Sequence, residues 1–284
     1  MHRFFVDDIQ ELNSRIMITG SDVNHIRSVL RLRPGDEIQV SDGSTKDYIC
    51  SIVSIEEDLV QADIIDLLDS NAELPADITL FQGVPKGDKM ETIIQKCVEL
   101  GVHEIIPVMM DRTIVKLDDK KKDKKISRYM GISEAAAKQS RRVIIPEVSD
   151  YMTSKEAIEY ASKNMDVILF PYELAEGMEE SRCIINDIVS LVHTSKVPHR
   201  DSPSGVLSSK FPQGDCPCGV QVDSTDGIKM KIGIFIGPEG GFSETEADLL
   251  KNVGAKIISL GHRILRTETA GMTVMSILSF QLDV

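Results

Sequence analysis

Apolar positions along roughly the first seventy residues come in short runs. IMITG, DEIQVSDG, DYICSIVSI and VQADIIDLL are separated by Gly, Asp and Ser, a spacing that predicts short strands joined by turns. The turns have their own chemistry. Arg33-Pro34-Gly35-Asp36 combines a proline that fixes φ with a glycine that tolerates positive φ, and Asp42-Gly43 is a second such step. A small β-barrel over residues 1–72 fits this pattern, with Asn71 to Pro75 as a linker. From Asp77 the pattern changes. ITLFQG, EIIPVMM, VILFPYE, KIGIFIGPEGG and AKIISLG read as apolar strands, several ending in Gly or Pro, with helical periodicity between them. Met90, Ile93, Ile94, Cys97 and Val98 form one apolar stripe that stops before Gly101, a C-cap. Strands alternating with helices predict an α/β domain over residues 73–284, its sheet mostly parallel and covered on both faces. Residues 196–231, rich in Pro, Gly, Ser and Asp and without periodicity, read as a surface insertion.

Two strand ends carry candidate chemistry. Ile236-Gly237-Pro238-Glu239-Gly240-Gly241-Phe242-Ser243 follows the strand IGIF and leads into a helix whose start is specified by a capping box, Ser243 with Glu246. Glycines there let a ligand approach backbone N–H groups, although a tight structural turn is the plainer reading. The phosphate-loop and dinucleotide glycine patterns are both missing. The second strand end, Leu260-Gly261-His262-Arg263-Ile264-Leu265-Arg266-Thr267-Glu268, opens the last helix with Thr267 as its N-cap. Arg266 stands at the helix mouth, placed for an anion or a nucleobase carbonyl, or for an ordinary salt bridge. A third stretch, SRYMGISEAAAKQSRRVIIPEV, reads as a helix on which Lys138, Arg141 and Arg142 share one side, with Gln139 and Arg142 in reach of a phosphate or base.

Charge sharpens that third reading. The chain of 284 residues has a formal net charge of −13, which counts against a protein that simply coats nucleic acid. Yet eleven basic residues lie between Arg112 and Arg142 against four acids. A solvated charge run and a nucleic-acid footprint both explain them. No apolar run near Met1 reads as a signal peptide and none is long enough to span a membrane, while five scattered cysteines do not suggest a disulfide scaffold. A cytoplasmic protein is expected. Cys216-Pro217-Cys218 lacks metal-ligand spacing, so no metal is expected.

Taken in order, Arg3-Phe4-Phe5-Val6, His25 with Val29-Leu30-Arg31, Arg33-Pro34-Gly35-Asp36, Lys89 with Glu99-Leu100-Gly101, Pro107, Arg112, Glu134-Ala135 with Gln139 and Arg142, Gly237 to Phe242, and Leu260-Gly261 through Ala270 form a combination. In it the chain resembles the RsmE family of 16S ribosomal RNA methyltransferases, within the SPOUT superfamily. The resemblance covers most of the chain apart from the insertion. It implies a PUA-like β-barrel that helps hold RNA, a catalytic domain with a C-terminal deep trefoil knot, a homodimer, and S-adenosyl-L-methionine as methyl donor. The implied product is 3-methyluridine at uridine 1498 of 16S rRNA, made on the assembled small ribosomal subunit.

Carried onto this sequence, the resemblance implies a cofactor pocket of Phe170, Tyr172, Glu173, Ile236, Gly237, Pro238, Glu239, Gly240, Gly241, Leu260, Gly261, Ile264, Leu265 and Arg266. RNA contacts fall to Arg3, Arg31, Arg112, Lys138, Gln139, Arg141 and Arg142. For the chemistry, Arg266 or Arg142 would stabilise negative charge developing on the uracil. Glu268 or Glu239 would accept its proton, or would simply hold a loop. Residues 196–231 are longer than the family requires, Thr113 stands where serine is common, and His262 occupies a variable position. Two other readings stay open: an rRNA-binding or ribosome-assembly protein without chemistry, and a methyltransferase for another nucleotide.

Overall fold

The computed structural model describes residues 2–6, 15–42, 47–68, 72–114, 119–173, 175, 177–195 and 229–283. They form two units, Met1–Glu73 with Ser133–Pro146, and Leu74–Ile132 with Glu147–Val284. Nearly all of the expected insertion, the Asn71 end of the expected linker, Gly43 of the second turn step, and both Cys216 and Cys218 lie outside the described residues.

The first unit holds β1 (Arg3–Phe5), β2 (Arg15–Ile18), α1 (Ser21–Asn24) running into a π-helical turn over His25–Val29, β3 (Glu37–Ser41), β4 (Asp47–Ile55) and β5 (Val60–Leu68). The strands pair in the order β1-β3-β4-β5-β2, with only β1 and β3 parallel. Alternation does the sorting: Ile16 and Ile18 are buried while Arg15 and Met17 are exposed. Register shifts at Ile49/Cys50 and Ile52/Ser54 bend β4 against β5, which curls five strands into a small barrel. The turn at Arg33 forms as expected, with the Asp36 carboxylate accepting from the Arg33 N–H at 2.7 Å and Gly35 at φ 93°.

The second unit holds β6 (Ala76–Gly83), α2 (Lys89–Glu99), β7 (Glu104–Met109), α3 (Asp119–Ser140, whose last turns count with the first unit), β8 (Glu147–Val148), β9 (Met152–Thr153), α4 (Ser154–Asn164), β10 (Val167–Pro171), α5 (Met178–Ser195), β11 (Met230–Ile236), α6 (Glu244–Asn252), β12 (Lys256–Ile258) and α7 (Thr267–Leu282). The sheet is parallel throughout, in the order β12-β10-β11-β6-β7-β8, with β9 also on β7. Strands β6 and β11 are buried almost end to end, as helices on both faces require. Phe81 and Phe235 stack across them at 4.3 Å. The α2 stripe is wholly buried and the helix stops at Gly101 with φ 94°. Among the described residues, no helix is long and apolar enough to cross a membrane.

The boundary between the two units falls inside the expected linker, between Glu73 and Leu74; Leu74 and Pro75 are buried, and Glu73 is tied into the first unit by the contacts described below. The basic stretch behaves differently at both ends. Helix α3 begins at Asp119, so it takes in the lysine run, and it ends at Ser140, before VIIPEV. Arg141 then adopts φ 61°, and the Arg142 N–H returns to the Ala137 carbonyl at 3.0 Å, closing the helix end. Lys138, Arg141 and Arg142 therefore do not share a helical side.

Candidate functional site

Register brings the strand ends of the second unit together. Ile236 lies opposite Gln82 and Pro171 opposite Ile258, so β6, β10, β11 and β12 finish along one edge of the sheet. From β6 the chain continues to β7 on one side, while β11, β10 and β12 lie on the other. Open parallel sheets receive ligands outside the carboxyl ends of their strands, where the connections diverge in this way.

The loop after β11 is held from several directions. The Gly241 N–H donates to the Pro238 carbonyl at 2.9 Å, and Gly241 itself sits at φ 66°. Gly83, at the end of β6, lies so close beneath Pro238 that a Cβ there would meet the Pro238 nitrogen at 2.6 Å. Arg112 donates from Nη1 to the Gly240 carbonyl at 2.9 Å. The Glu239 carboxylate accepts from the Lys86 N–H at 3.1 Å and from Lys89 Nζ at 2.8 Å, and Lys89 Nζ also lies 3.7 Å from Glu268 Oε2. Burial pushes the Glu239 carboxyl up, but the hydrogen bonds from Lys89 and from backbone N–H groups outweigh it and hold it below its ordinary value. The Lys89 ammonium is raised, first by its hydrogen bond to Glu239.

Thr267 is a second correction to the sequence reading. The N-cap of α7 is Arg266, in extended conformation and without a side-chain cap. The buried Thr267 hydroxyl instead donates to the Gly237 carbonyl at 2.6 Å and accepts from Gln82 Nε2 at 2.9 Å. A carbonyl left over by the glycine loop thus claims the hydroxyl that an N-cap would have used. Gln82 was missed altogether. Its signal was a polar residue closing the apolar run ITLF, since a buried amide has to find partners.

The other cofactor candidates divide by depth. Phe170 and Ile236 are core side chains, so their strand ends can offer a ligand only backbone. Tyr172 is half-buried, with Lys251 Nζ 5.8 Å from its ring centre, and Glu173 is exposed. Leu260, Gly261 and Leu265 are half-buried, Arg266 is exposed, and Ile264 is 79 % exposed, an unusual degree for an isoleucine in a short connection. The Glu268 side chain is 19 % exposed, and its sheltered Oε2 has no hydrogen-bond partner.

The RNA candidates divide more sharply. Arg112 belongs to the second unit and is anchored to the glycine loop. In the first unit, Arg3 forms a buried ion pair with Asp47. Arg142, 3 % exposed, is paired with Glu73, whose Oε1 also accepts from the Val143 and Ile144 N–H groups at 2.8 and 3.2 Å. Lys138 bridges Asp22 and Glu134, each at 3.0 Å. Arg31, Gln139 and Arg141 are exposed. Of the two arginines considered for a developing anion, Arg266 is open, whereas Arg142 has its charge spent on a carboxylate of its own unit.

An RNA methyltransferase domain model matches residues 72–194 and 219–279, and an RNA methyltransferase PUA domain model matches residues 18–65. The chain is 34 % identical to ribosomal RNA small subunit methyltransferase E of Bacillus subtilis over 287 residues, covering all of this chain and 98 % of that protein. The Mesomycoplasma hyopneumoniae protein of the same name is 29 % identical, over 97 % of this chain and 98 % of its own. Among solved structures, ribosomal RNA small subunit methyltransferase E from Neisseria gonorrhoeae, bound to S-adenosyl methionine, superposes with a TM-score of 0.71 at 25 % identity, covering 99 % of this chain and 97 % of that one. A Legionella pneumophila protein in complex with the same cofactor gives 0.71 at 27 % identity, covering 97 % and 96 %. A parallel α/β sheet with a glycine loop at its strand ends, preceded by a PUA-like barrel, defines an RNA methyltransferase. The chain belongs to the RsmE-like rRNA methyltransferase family of the SPOUT superfamily.

Proposed function

We propose that this protein transfers the methyl group of S-adenosylmethionine to N3 of uridine 1498 in 16S rRNA, on the assembled small subunit. The observation that carries this reading is the glycine loop at the parallel strand ends, with Arg266 and Glu268 in the adjoining connection, in a chain that aligns end to end with small subunit methyltransferases.

The residues at the strand ends fit the cofactor. Gly237 to Gly241 and the ends of β10 and β12 offer backbone to its polar groups. Ile264, exposed beside half-buried Leu260 and Leu265, offers apolar surface to its adenine. When bound, the cofactor supplies a methyl group on a sulfonium, ready for an attacking lone pair. The protein has to prepare the acceptor. N3 of uracil carries a proton at neutral pH and lies on the pairing edge, so the base must be unpaired and the proton removed. Arg266 stays protonated and cannot be the base; its part is to donate to O2 or O4 as negative charge develops. Glu268, whose Oε2 makes no hydrogen bond and has only the longer approach of Lys89 Nζ at 3.7 Å, is the carboxylate left to accept the proton. Glu239, committed to Lys86 and Lys89, holds the loop.

The remaining parts of the reading follow the family. Residues 1–72 form the RNA-holding barrel and 73–284 the catalytic domain. Strand β11 lies between β10 and β6 before the chain crosses to the edge strand β12, an order that suits a deep trefoil knot. Phe280 on α7, 85 % exposed, suits coverage by a second copy, and a monomer by light scattering would remove the dimer.

The test is nucleoside mass spectrometry after incubation with labelled S-adenosylmethionine and undermethylated small subunits. Labelled 3-methyluridine mapped to the decoding region is the expected result. Arg266→Ala is expected to lower the rate on the order of a hundredfold, the scale for losing one donor to a developing anion. Cofactor binding without transfer to competent subunits would overturn the assigned reaction. Wild-type rates in Arg266→Ala and Glu268→Gln would overturn the residue roles.

A further inference from the structure

The first unit contains a cavity of about 600 Å³ that none of the candidate cofactor residues lines. Its walls include His2, Phe4, Asp22, His25, Gln139 and Arg141. The chemistry is mixed in an informative way. His2 and His25 are exposed imidazoles, and His25 meets Phe4 edge-on at 6.4 Å. Gln139 offers an amide with both donor and acceptor. Asp22 is already engaged by Lys138 at 3.0 Å, so the cavity's carboxylate is neutralised, while Arg141 makes no side-chain hydrogen bond or ion pair among the described residues. A bare phosphate would leave the rings and the amide unused, and an apolar ligand would leave the cation and the amide unused. A ribonucleotide uses all of them, with its base on an imidazole face and an amide at its edge, and its phosphate on a guanidinium.

The backbone at Arg141 is unusual as well. Arg141 and Arg31 are the two non-glycine residues with positive φ among the described residues, at 61° and 54°, and both belong to this unit. At the end of α3 a glycine would adopt that conformation freely, whereas a side chain there costs about 1 kcal/mol. A cation near a helix C-terminus recovers part of this through the helix dipole, but Lys138, one turn earlier, already supplies one without strain. Helix stability alone therefore favours glycine at 141 and does not account for the arginine.

We propose that this cavity holds one unpaired ribonucleotide of the substrate RNA, other than the uridine that is methylated, with Arg141 on its phosphate. This rests on the reading of the chain as an rRNA methyltransferase, and the test separates the two. Full-length protein labelled at histidine is titrated with the four nucleoside 5′-monophosphates and, separately, with inorganic phosphate, following the His2 and His25 imidazole signals by NMR. A saturable shift with at least one nucleotide, weakened about tenfold in Arg141→Gly and not reproduced by phosphate, is expected. No saturable shift beyond that of phosphate would overturn the site. Arg141→Gly removes backbone strain, so a loss of binding cannot be laid to unfolding. In parallel, methylation of small subunits by Arg141→Gly and Gln139→Ala is expected to show KM raised about tenfold with the effect absent from kcat. Retained nucleotide binding with KM unchanged would overturn the assignment of that nucleotide to the substrate. A protein that binds nucleotides here yet never methylates subunits would overturn the proposed function and leave the cavity as a ribonucleotide site.

Discussion

The glycine loop of the second unit and the arginines of the first hold their charges in opposite ways. Around the loop, charge serves the backbone: Lys89 pins Glu239, Arg112 caps the Gly240 carbonyl, and Gly83 makes room for Pro238. Each contact sets where backbone N–H and C=O groups lie, which suits a small cofactor recognised at close range. In the first unit the arginines fall into two kinds. Arg3 and Arg142 are buried against Asp47 and Glu73, and they hold the barrel and the end of α3 in one piece. Arg31 and Arg141 are exposed on left-handed backbone. Neighbours in sequence, Arg141 and Arg142, thus do different work, and residue type alone does not separate stability from binding.

The sharpest way to break this comparison is to remove each of those neighbours in turn. Arg142→Ala leaves Glu73 sheltered without its cation, so it is expected to cost about 3–5 kcal/mol of stability. Arg141→Ala is expected to stay within about 0.5 kcal/mol of wild type, as exposed positions do. Urea unfolding of both variants checks this. Equal losses would mean that the two arginines share one structural role.

The next largest effect belongs to the loop. In Gly83→Ala the new methyl meets backbone and a proline ring, neither of which can swing aside. Overpacking of this kind costs about 1–3 kcal/mol, and here the strain is relieved by moving the loop. Affinity for S-adenosylmethionine, read by calorimetry, is expected to fall about tenfold. Unchanged affinity would show that the cofactor does not depend on where Pro238 and Gly237 stand.

These two sites were legible in the sequence to different degrees. The β6, β7, β10, β11 and β12 strands and the Ser243–Glu246 capping box could be read directly, because apolar runs, glycines and caps each have a conformational signature. The glycine loop stood out for the same reason. Partner choice across the chain has no such signature. Nothing in EAAAKQSRR says that Arg142 would meet Glu73, 69 residues away, or that the helix would stop between Ser140 and Arg142 without a glycine. The charge run ahead of SRYMGISEAAAKQSRR has no apolar periodicity to mark it, yet helix α3 starts at Asp119 and takes in Lys120 to Lys125. Cations in the first turns of a helix oppose its dipole, at about 0.3–1 kcal/mol near the terminus, although lysine is itself a good helix former. Thr267 misled for a tertiary reason, since the Gly237 carbonyl that takes its hydroxyl comes from 30 residues earlier.

The smallest effect concerns how firmly charge pins the loop. Glu239 has its carboxyl held below its ordinary value, so its contribution to stability is complete above that ordinary value and is lost as pH falls through the lowered one. Lys89 is raised, so its share is complete below its ordinary value and is lost only as pH rises through the raised one. Between these limits, which include neutral pH, the pair is fully formed. Both side chains are about one-third exposed, at 31 % and 36 %, so solvent screens them and the pair is worth less than about 1 kcal/mol. Glu239→Gln is therefore expected to be slightly less stable than wild type at pH 7, with the gap closing under acid once the wild-type carboxylate is protonated. Added salt should narrow the neutral-pH gap as well. Thermal unfolding of both proteins across pH checks this. A gap that persists unchanged into acid would mean that the Lys86 N–H bond to Glu239, rather than the Lys89 charge, keeps the loop in place, and the contrast with the charge-held arginines of the first unit would then be sharper still.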